Sequence, residues 1–490
     1  MGSEQGRLME KETISGFRLS PQQEHLWELM SRSGDSEYTS RAVVAIEGRL
    51  EAGELRRAVT RVVGRHEILR TLFRRLPSWD VPLQVVAEEL APSFEEVDLR
   101  GAEGESQWER QVSRNEEGGV GFDYERGPMV RVRLARTGEE THYLMITTPA
   151  LCADTRSMEN LVRETALAYE EGNRRETGGK GEGGEGIIQY ADYAEWVNEL
   201  KESGQREKRR EKREEGEGAE GRGNEEEGLG RFRAGRIELR MEESLAGDVR
   251  RKAQSEGVRV DDVLMGGWAV LVWRLGEGAE RLEMSVVCSG RRYEGLEEGI
   301  GLYERYVPVE LRMKRGMRFE EVVREVREVV KEGREWQEYY GWEEEKGEGR
   351  GYVRYSYEEV EVEGEIKASG LRMKVERAES RSDRYEIKLR VRQEEEGIRG
   401  EISYDRRKVS EERARRMVEQ YKKVVRRCVK ERGARIEEVE VISEGEKEEI
   451  REYNRTRRDY GRGKRVEELI EEQAERKGEA IAVELSLIHI

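Results

Sequence analysis

The stretch Leu144-Met-Ile-Thr-Thr-Pro-Ala-Leu-Cys-Ala-Asp-Thr-Arg-Ser157 decides how this chain reads, because one periodicity gives way to another inside it. Its first half closes an apolar, β-branched run and predicts a strand over 142–148. Its second half leads to Met158, Leu161, Val162 and Thr165, spaced to bury one stripe of a helix from about Ser157 to Tyr169. Asp154 stands at the joint, where a carboxylate caps the coming helix or pairs with an arginine.

Upstream, Ser20 opens an amphipathic helix carrying Leu26, Trp27 and Met30, and strands are expected at 41–46, 82–86 and 129–135. Leu55, Ala58, Val59, Val62 and Val63 fall at i, i+3, i+4, i+7 and i+8, so a second helix buries one face against a sheet. Downstream, a strand near Phe232 and a helix from about Met241 precede Asp262–Leu275, apolar nearly all round and therefore a central buried helix. Strands are expected at 281–288, 302–312, 352–359, 370–377, 385–392 and 398–404, with helices carrying Phe319, Val322, Val323, Val326, Val329 and Val330, and, from a Ser410 cap, Ala414, Met417, Val418, Tyr421, Val425 and Cys428. Helices mixed with consecutive antiparallel candidates indicate an α+β fold rather than a doubly wound sheet. Segments 172–186 and 202–231 are Gly, Glu, Arg and Lys with almost no apolar residues, and read as flexible insertions.

Charged residues make up 40% of the 490, with 107 acidic against 90 basic and a net charge of −17, which argues against a nucleic-acid partner. Cys152, Cys288 and Cys428 lie far apart with no CxxC spacing, so neither a disulfide framework nor a metal site is expected and a reducing cytoplasm fits. No signal peptide begins at Met1, Gly6 stands where a myristoylation signal wants Ser or Thr, and no apolar run approaches the ~20 residues of a membrane span. Gly181–Gly186 fits GxGxxG but follows no strand, so no nucleotide site is expected there.

Five tracts, in order, resemble the condensation domain of nonribosomal peptide synthetases. Leu19-Ser-Pro-Gln-Gln-Glu-His-Leu-Trp27 is similar to its opening motif, and Arg65-His-Glu-Ile-Leu-Arg-Thr-Leu-Phe73 matches RHExLRTxF nearly residue for residue. Tyr190-Ala-Asp-Tyr-Ala-Glu-Trp196 resembles YxDYAxW, Ser289-Gly-Arg291 the SGR of the second lobe, and Ile300-Gly-Leu-Tyr303 the start of IGxFVNT. Trp336-Gln-Glu-Tyr339 is a loose echo of HQDYPFE, and 446–484 looks like a linker and the start of an adenylation domain. The resemblance implies two chloramphenicol-acetyltransferase-like lobes in a V-shaped pseudo-dimer, with the active site in a tunnel between them. The expected division is a disordered 1–13, a first lobe 14–171, flexible insertions 172–235 around an ordered 187–201, a second lobe 236–445, the linker 446–484 and a non-native tail 485–490.

The implied reaction joins two thioesters carried on 4'-phosphopantetheine by peptidyl or acyl carrier proteins, with no bound cofactor, as the acceptor amine attacks the donor acyl group. In the family's HHxxxDG motif the second His serves as base or positions the amine. Aligned on Asp154, this chain has Pro149 and Ala150 at the two His positions and Thr155 at the Gly, while Asp154 and Ser157 match. Ala150 accepts no proton, so the usual mechanism is absent. His142 lies eight residues up the same strand, His25 and His66 are expected in helices, His489 is in the tail, and Cys152 sits in an apolar run. The resemblance makes Asp154 structural and pairs it with Arg291, and Arg65, His66 and Arg70 are expected to support the fold, the arginines as ion pairs at the edge of the core. Two functions stay open: impaired or non-canonical amide formation, or a catalytically inactive scaffold that recruits carrier proteins.

Overall fold

The computed structural model describes residues 16–479 except 34–36, 77–78, 102–103, 105, 109, 113–120, 177–186, 215–231, 277, 339–352, 361–363, 395–396, 443 and 457–462. The expectations for 1–13, the GxGxxG string, Tyr339, His489 and the tail lie outside the described residues.

Strand β1 (Thr39–Glu47) shows how the first lobe is built. Its alternation sends Ala42, Val44 and Ile46 into one large core and Val43 into a smaller cluster on the opposite face with Leu99, Trp108, Ala135 and Met145. Helices α1 (Pro21–Ser33) and α2 (Ala52–Arg65) join the large core through Leu26, Trp27, Leu55, Ala58, Val59, Val62 and Val63. A two-stranded ribbon, β2 (Thr71–Arg74) with β3 (Leu83–Val86), follows, then β4 (Ser93–Asp98), β5 (Arg131–Arg136), β6 (Thr141–Pro149) and helix α3 (Thr155–Glu176). Helix α4 (Tyr190–Glu214) leads towards the second lobe.

The chain then runs through β7 (Ala234–Met241), α5 (Glu243–Glu256), α6 (Val260–Leu275), β8 (Arg281–Cys288), β9 (Arg305–Arg312), α7 (Phe319–Trp336), β10 (Val353–Val360), β11 (Ile366–Ala368), β12 (Leu371–Ser380), β13 (Tyr385–Glu394), β14 (Gly397–Asp405) and α8 (Glu411–Lys430), all of them in the second lobe except β11 and β12. Helix α6 is buried from Asp261 to Trp273, as its all-round apolarity requires. Gly266 and Gly267 let its neighbours close in: a Cβ on Gly267 would lie 2.7 Å from Val425 Cγ2 of α8, and one on Gly266 3.1 Å from Val323 Cγ2 of α7. Ser410 caps α8, its hydroxyl accepting from the Arg413 N–H.

Each lobe centres on a six-stranded sheet, ordered β11-β12-β1-β6-β5-β4 in the first and β7-β14-β13-β10-β8-β9 in the second. Here the structure corrects the division drawn from sequence. Residues 366–380 fall inside 236–445, yet β12 pairs antiparallel with β1, Ser40 opposite Ser380, and so completes the first lobe's sheet. Because this excursion separates them, β10 and β13 run parallel rather than antiparallel. The alternation of β12 reveals one buried face but not which sheet it joins. The insertions also hold more regular structure than expected, since α3 continues to Glu176, α4 to Glu214, and β7 begins at Ala234. Glu, Lys and Arg are good helix formers, and their low apolarity concealed that.

The chain beyond Val441 forms a separate unit with two short helices, α9 (Glu444–Tyr453) and α10 (Val466–Arg476). Among the described residues no helix is long and apolar enough to cross a membrane.

Candidate active-site cleft

Asp154 follows the turn after β6 and precedes α3, so its side chain meets the second lobe where the lobes touch. It is fully buried. Its backbone N–H donates to Gly301 O at 3.0 Å, and its carboxylate accepts five hydrogen bonds. Oδ1 receives the Ser157 N–H at 2.8 Å and Arg291 Nη2 at 2.8 Å; Oδ2 receives Arg291 Nη1 at 2.7 Å and the Tyr303 and Glu304 N–H groups at 2.9 Å each. A carboxylate so surrounded is an anchor, with no lone pair left for a substrate proton. Burial pulls the Arg291 guanidinium down in pKa and the Asp154 charge more than restores it, so the guanidinium stays charged. Ser157 is equally committed: its hydroxyl donates to Gly301 O at 2.7 Å and accepts from Arg291 Nη2 at 2.7 Å and Gly301 N at 3.0 Å.

Four of the five resembling tracts converge on this knot. The Tyr190 hydroxyl donates to Leu302 O at 2.7 Å and lies 2.8 Å from Ser20 Oγ, and Gln23 Nε2 donates to Leu151 O at 2.9 Å. Arg291 stacks 4.4 Å from the Tyr303 ring centroid, and Tyr303 in turn contacts the rings of Tyr190 and Tyr193. Gly301 is glycine because a Cβ there would sit 1.9 Å from the Tyr190 ring.

Arg65, His66 and Arg70 lie elsewhere in the first lobe. His66 Nε2 is 2.9 Å from both oxygens of Glu164 on α3, and Arg65 reaches the same carboxylate at 3.4 Å. Arg70 bonds Ala87 O and Glu67, so all three brace local structure. His66 is not helical, contrary to expectation: it follows the last residue of α2 with extended backbone, and its imidazole is held by α3 instead. His25 lies in α1, 3.1 Å from Asp383 Oδ1.

Ala150 is buried in the first lobe's core with its N–H on Tyr38 O at 3.1 Å. His142 stands at the other end of β6, about 26 Å of extended chain away. The buried Cys152 thiol has its pKa pushed up by burial and behaves as core.

What the sequence did not disclose is a set of buried charges facing Thr155 from the second lobe. The Thr155 N–H donates to Glu304 Oε2 at 3.3 Å and its hydroxyl to Glu358 Oε1 at 3.5 Å. Glu358 pairs with Lys388 at 2.7 Å and Arg390 at 3.0 Å, Lys388 donates to the Tyr306 hydroxyl at 3.0 Å, and the Ser382 hydroxyl donates to Glu304. Burial raises the Glu304 carboxyl to about 7, aided by the neighbouring charges of Asp154 and Glu358. In β13 the charged Glu386, Lys388 and Arg390 alternate with Ile387 and Leu389, a pattern that reads as a solvated face. All three are buried instead, Glu386 pairing with Arg354, Lys388 with Glu358, and Arg390 donating to Ala378 O of β12 in the first sheet.

A groove of about 630 Å³ opens between the lobes, lined by Val43, Trp108 and Tyr143 on one side and Arg236, Arg390 and Glu401 on the other. Those last three also line a separate pocket of about 20 Å³, together with Glu358 and Lys388. A cavity of about 680 Å³ among Arg259, Arg327, Lys331 and Arg334 belongs to the second lobe alone and is not this groove. Among the described residues, no group of His, Cys, Asp and Glu is arranged to hold a metal ion.

The sequence model of the condensation domain matches residues 15–451. The chain belongs to the condensation domain family. Phosphinothricin tripeptide synthetase PhsB of Streptomyces viridochromogenes is 29% identical over 325 residues, which is 64% of this chain and 26% of that synthetase. Chondramide synthase cmdD of Chondromyces crocatus is 33% identical over 155 residues, 31% of this chain and 4% of that synthase. The condensation domain thus spans about a quarter or less of these relatives' lengths. In fold it is similar to the first condensation domain of the calcium-dependent antibiotic synthetase, with a TM-score of 0.72, 16% identity, and coverage of 88% of this chain and 99% of that one. It is also similar to the X-domain from teicoplanin biosynthesis, with a TM-score of 0.69, 22% identity, and coverage of 87% and 98%.

Proposed function

We propose that this condensation domain brings a donor acyl or peptidyl thioester and an acceptor aminoacyl thioester together between its lobes and joins them as an amide without an imidazole. The observation that carries this is the Asp154–Arg291 pair, which keeps the motif loop braced against the second lobe although Ala150 has replaced the base. Holding amine and thioester in register supplies up to ~7–11 kcal/mol in well-oriented cases, whereas a general base adds about 10²–10⁴-fold. Loss of the base therefore leaves a slow reaction rather than none. The substrates arrive on the 4'-phosphopantetheine of carrier proteins, an adenylation domain follows from 446–484, and the buried free thiols suit a reducing cytoplasm.

Loaded donor and acceptor carriers test this: amide is expected from the unaltered protein, with a faster rate from Ala150→His. Amide from the His variant alone would defeat slow condensation and leave an inactive recruitment platform. That second reading is favoured by the loss of both motif histidines. The X-domain similar to this chain has been described in complex with OxyB. A neighbouring intact condensation domain serving the same carrier would support it.

A further inference from the structure

We propose that the cavity of about 680 Å³ in the second lobe binds a small, freely diffusing phosphate ester. Such a site is separate from amide formation and does not depend on it. Three segments wall the cavity: residues 257–262 at the start of α6, the loop after β8 at Ser289 and Arg292, and the last turns of α7. Its volume is that of a small-molecule site.

Charge on α7 is sorted towards it. Arg327, Lys331 and Arg334 recur at i, i+4 and i+7 and all line the cavity, whereas Glu328 and Glu332 between them do not. A like-charged pair at i, i+4 destabilises a bare helix, so an anion bound between Arg327 and Lys331 relieves a repulsion built into α7. Arg259 and Arg292 bring the cations to five, against Asp262 and Glu335. Asp262 is turned towards its own helix, where it accepts the Arg259 N–H at 2.9 Å.

Three of the five cations are held in place by protein groups. Glu359 lies 3.0 Å from Arg259 and 3.2 Å from Arg334, Asp262 stands 3.5 Å from Arg259, and Arg292 donates to Glu335 O at 2.9 Å and lies 3.9 Å from Glu338. The other two carry the surplus charge. Arg327 donates to Gly257 O at 2.8 Å, and neither it nor Lys331 forms an ion pair among the described residues. Guanidinium forks beside an ammonium match the several oxygens of a phosphate, and a diphosphate carries charge enough for both unpaired cations. The cavity is separate from the interlobe groove, so its ligand is a free molecule rather than a carrier-borne one. Arg292 follows Arg291, the partner of Asp154, and an occupied cavity steadies the loop that braces the lobes.

Calorimetric titration of pyrophosphate into the full chain in about 0.15 M NaCl tests this. One pyrophosphate per chain should bind saturably and raise the melting temperature. Lys331→Gln alters an exposed side chain, so it should melt like the parent and weaken binding about 10-fold, with about 10²-fold for Arg327→Gln/Lys331→Gln. Lys314→Gln/Arg315→Gln removes two exposed cations from the same lobe outside the cavity and should leave affinity unchanged. Equal weakening by the two double variants reduces the effect to general charge attraction and overturns the site, as does a titration that never saturates. Displacement of pyrophosphate by a phosphopantetheinylated carrier, but not by its apo form, overturns the free ligand by making the phosphate protein-borne.

Discussion

Removing the Arg291 guanidinium leaves Asp154 as a fully buried charge without its counter-ion, the costliest way to break such a pair. Arg291→Ala is expected to destabilise the protein by about 3–5 kcal/mol in denaturant unfolding. Arg291→Lys should recover only part of this, because one ammonium cannot replace two parallel bonds to Asp154 and those to Ser157, Ser289 and Gly299. A second buried carboxyl sets a pH dependence. Asp261, under the Tyr357 hydroxyl and Gln393, is raised to about 7 by burial and by its hydrogen-bonded neighbour Glu359. Its folded pKa exceeds the unfolded value of ~4, so the folded state binds the extra proton and stability falls as pH rises between those values. Glu304 contributes in the same direction. Asp261→Asn mimics the protonated acid, so melting temperatures at pH 5 and pH 8 should lie closer together in that variant than in the parent.

At the scale of elements, the buried stripes were legible and the charged ones were not. Leu55, Ala58, Val59, Val62 and Val63 are all buried in α2, as are Phe319, Val322, Val323 and Val326 in α7. Helical periodicity reports burial whenever one face is apolar. The β13 face defeated this logic, because its charges are buried in ion pairs rather than solvated. Helix crossings make a paired prediction. Gly267→Ala should cost about 1–3 kcal/mol by overpacking against Val425, whereas Gly247→Ala in α5, whose Cβ meets only the flexible Arg251 at 3.4 Å, should gain up to about 1 kcal/mol. Chemical denaturation of the two variants decides it.

Across the whole molecule, the excursion of β11 and β12 into the first sheet ties the lobes together. A chain ending at Val360 would lack both strands and expose the β1 edge along Ser40–Glu47. Such a fragment is expected to aggregate, and co-expression with residues 361–451 should restore solubility; a soluble, cooperatively melting fragment would contradict this. Sequence by itself determined the family, the α+β class, the helical stripes and the absence of imidazole at Ala150, because each is written in local spacing or residue identity. Tertiary structure alone decided that β12 crosses between sheets and that Glu304 is buried beside Thr155. Strand pairing and buried electrostatics depend on which distant segments meet, and alternation along a chain carries no record of its partner.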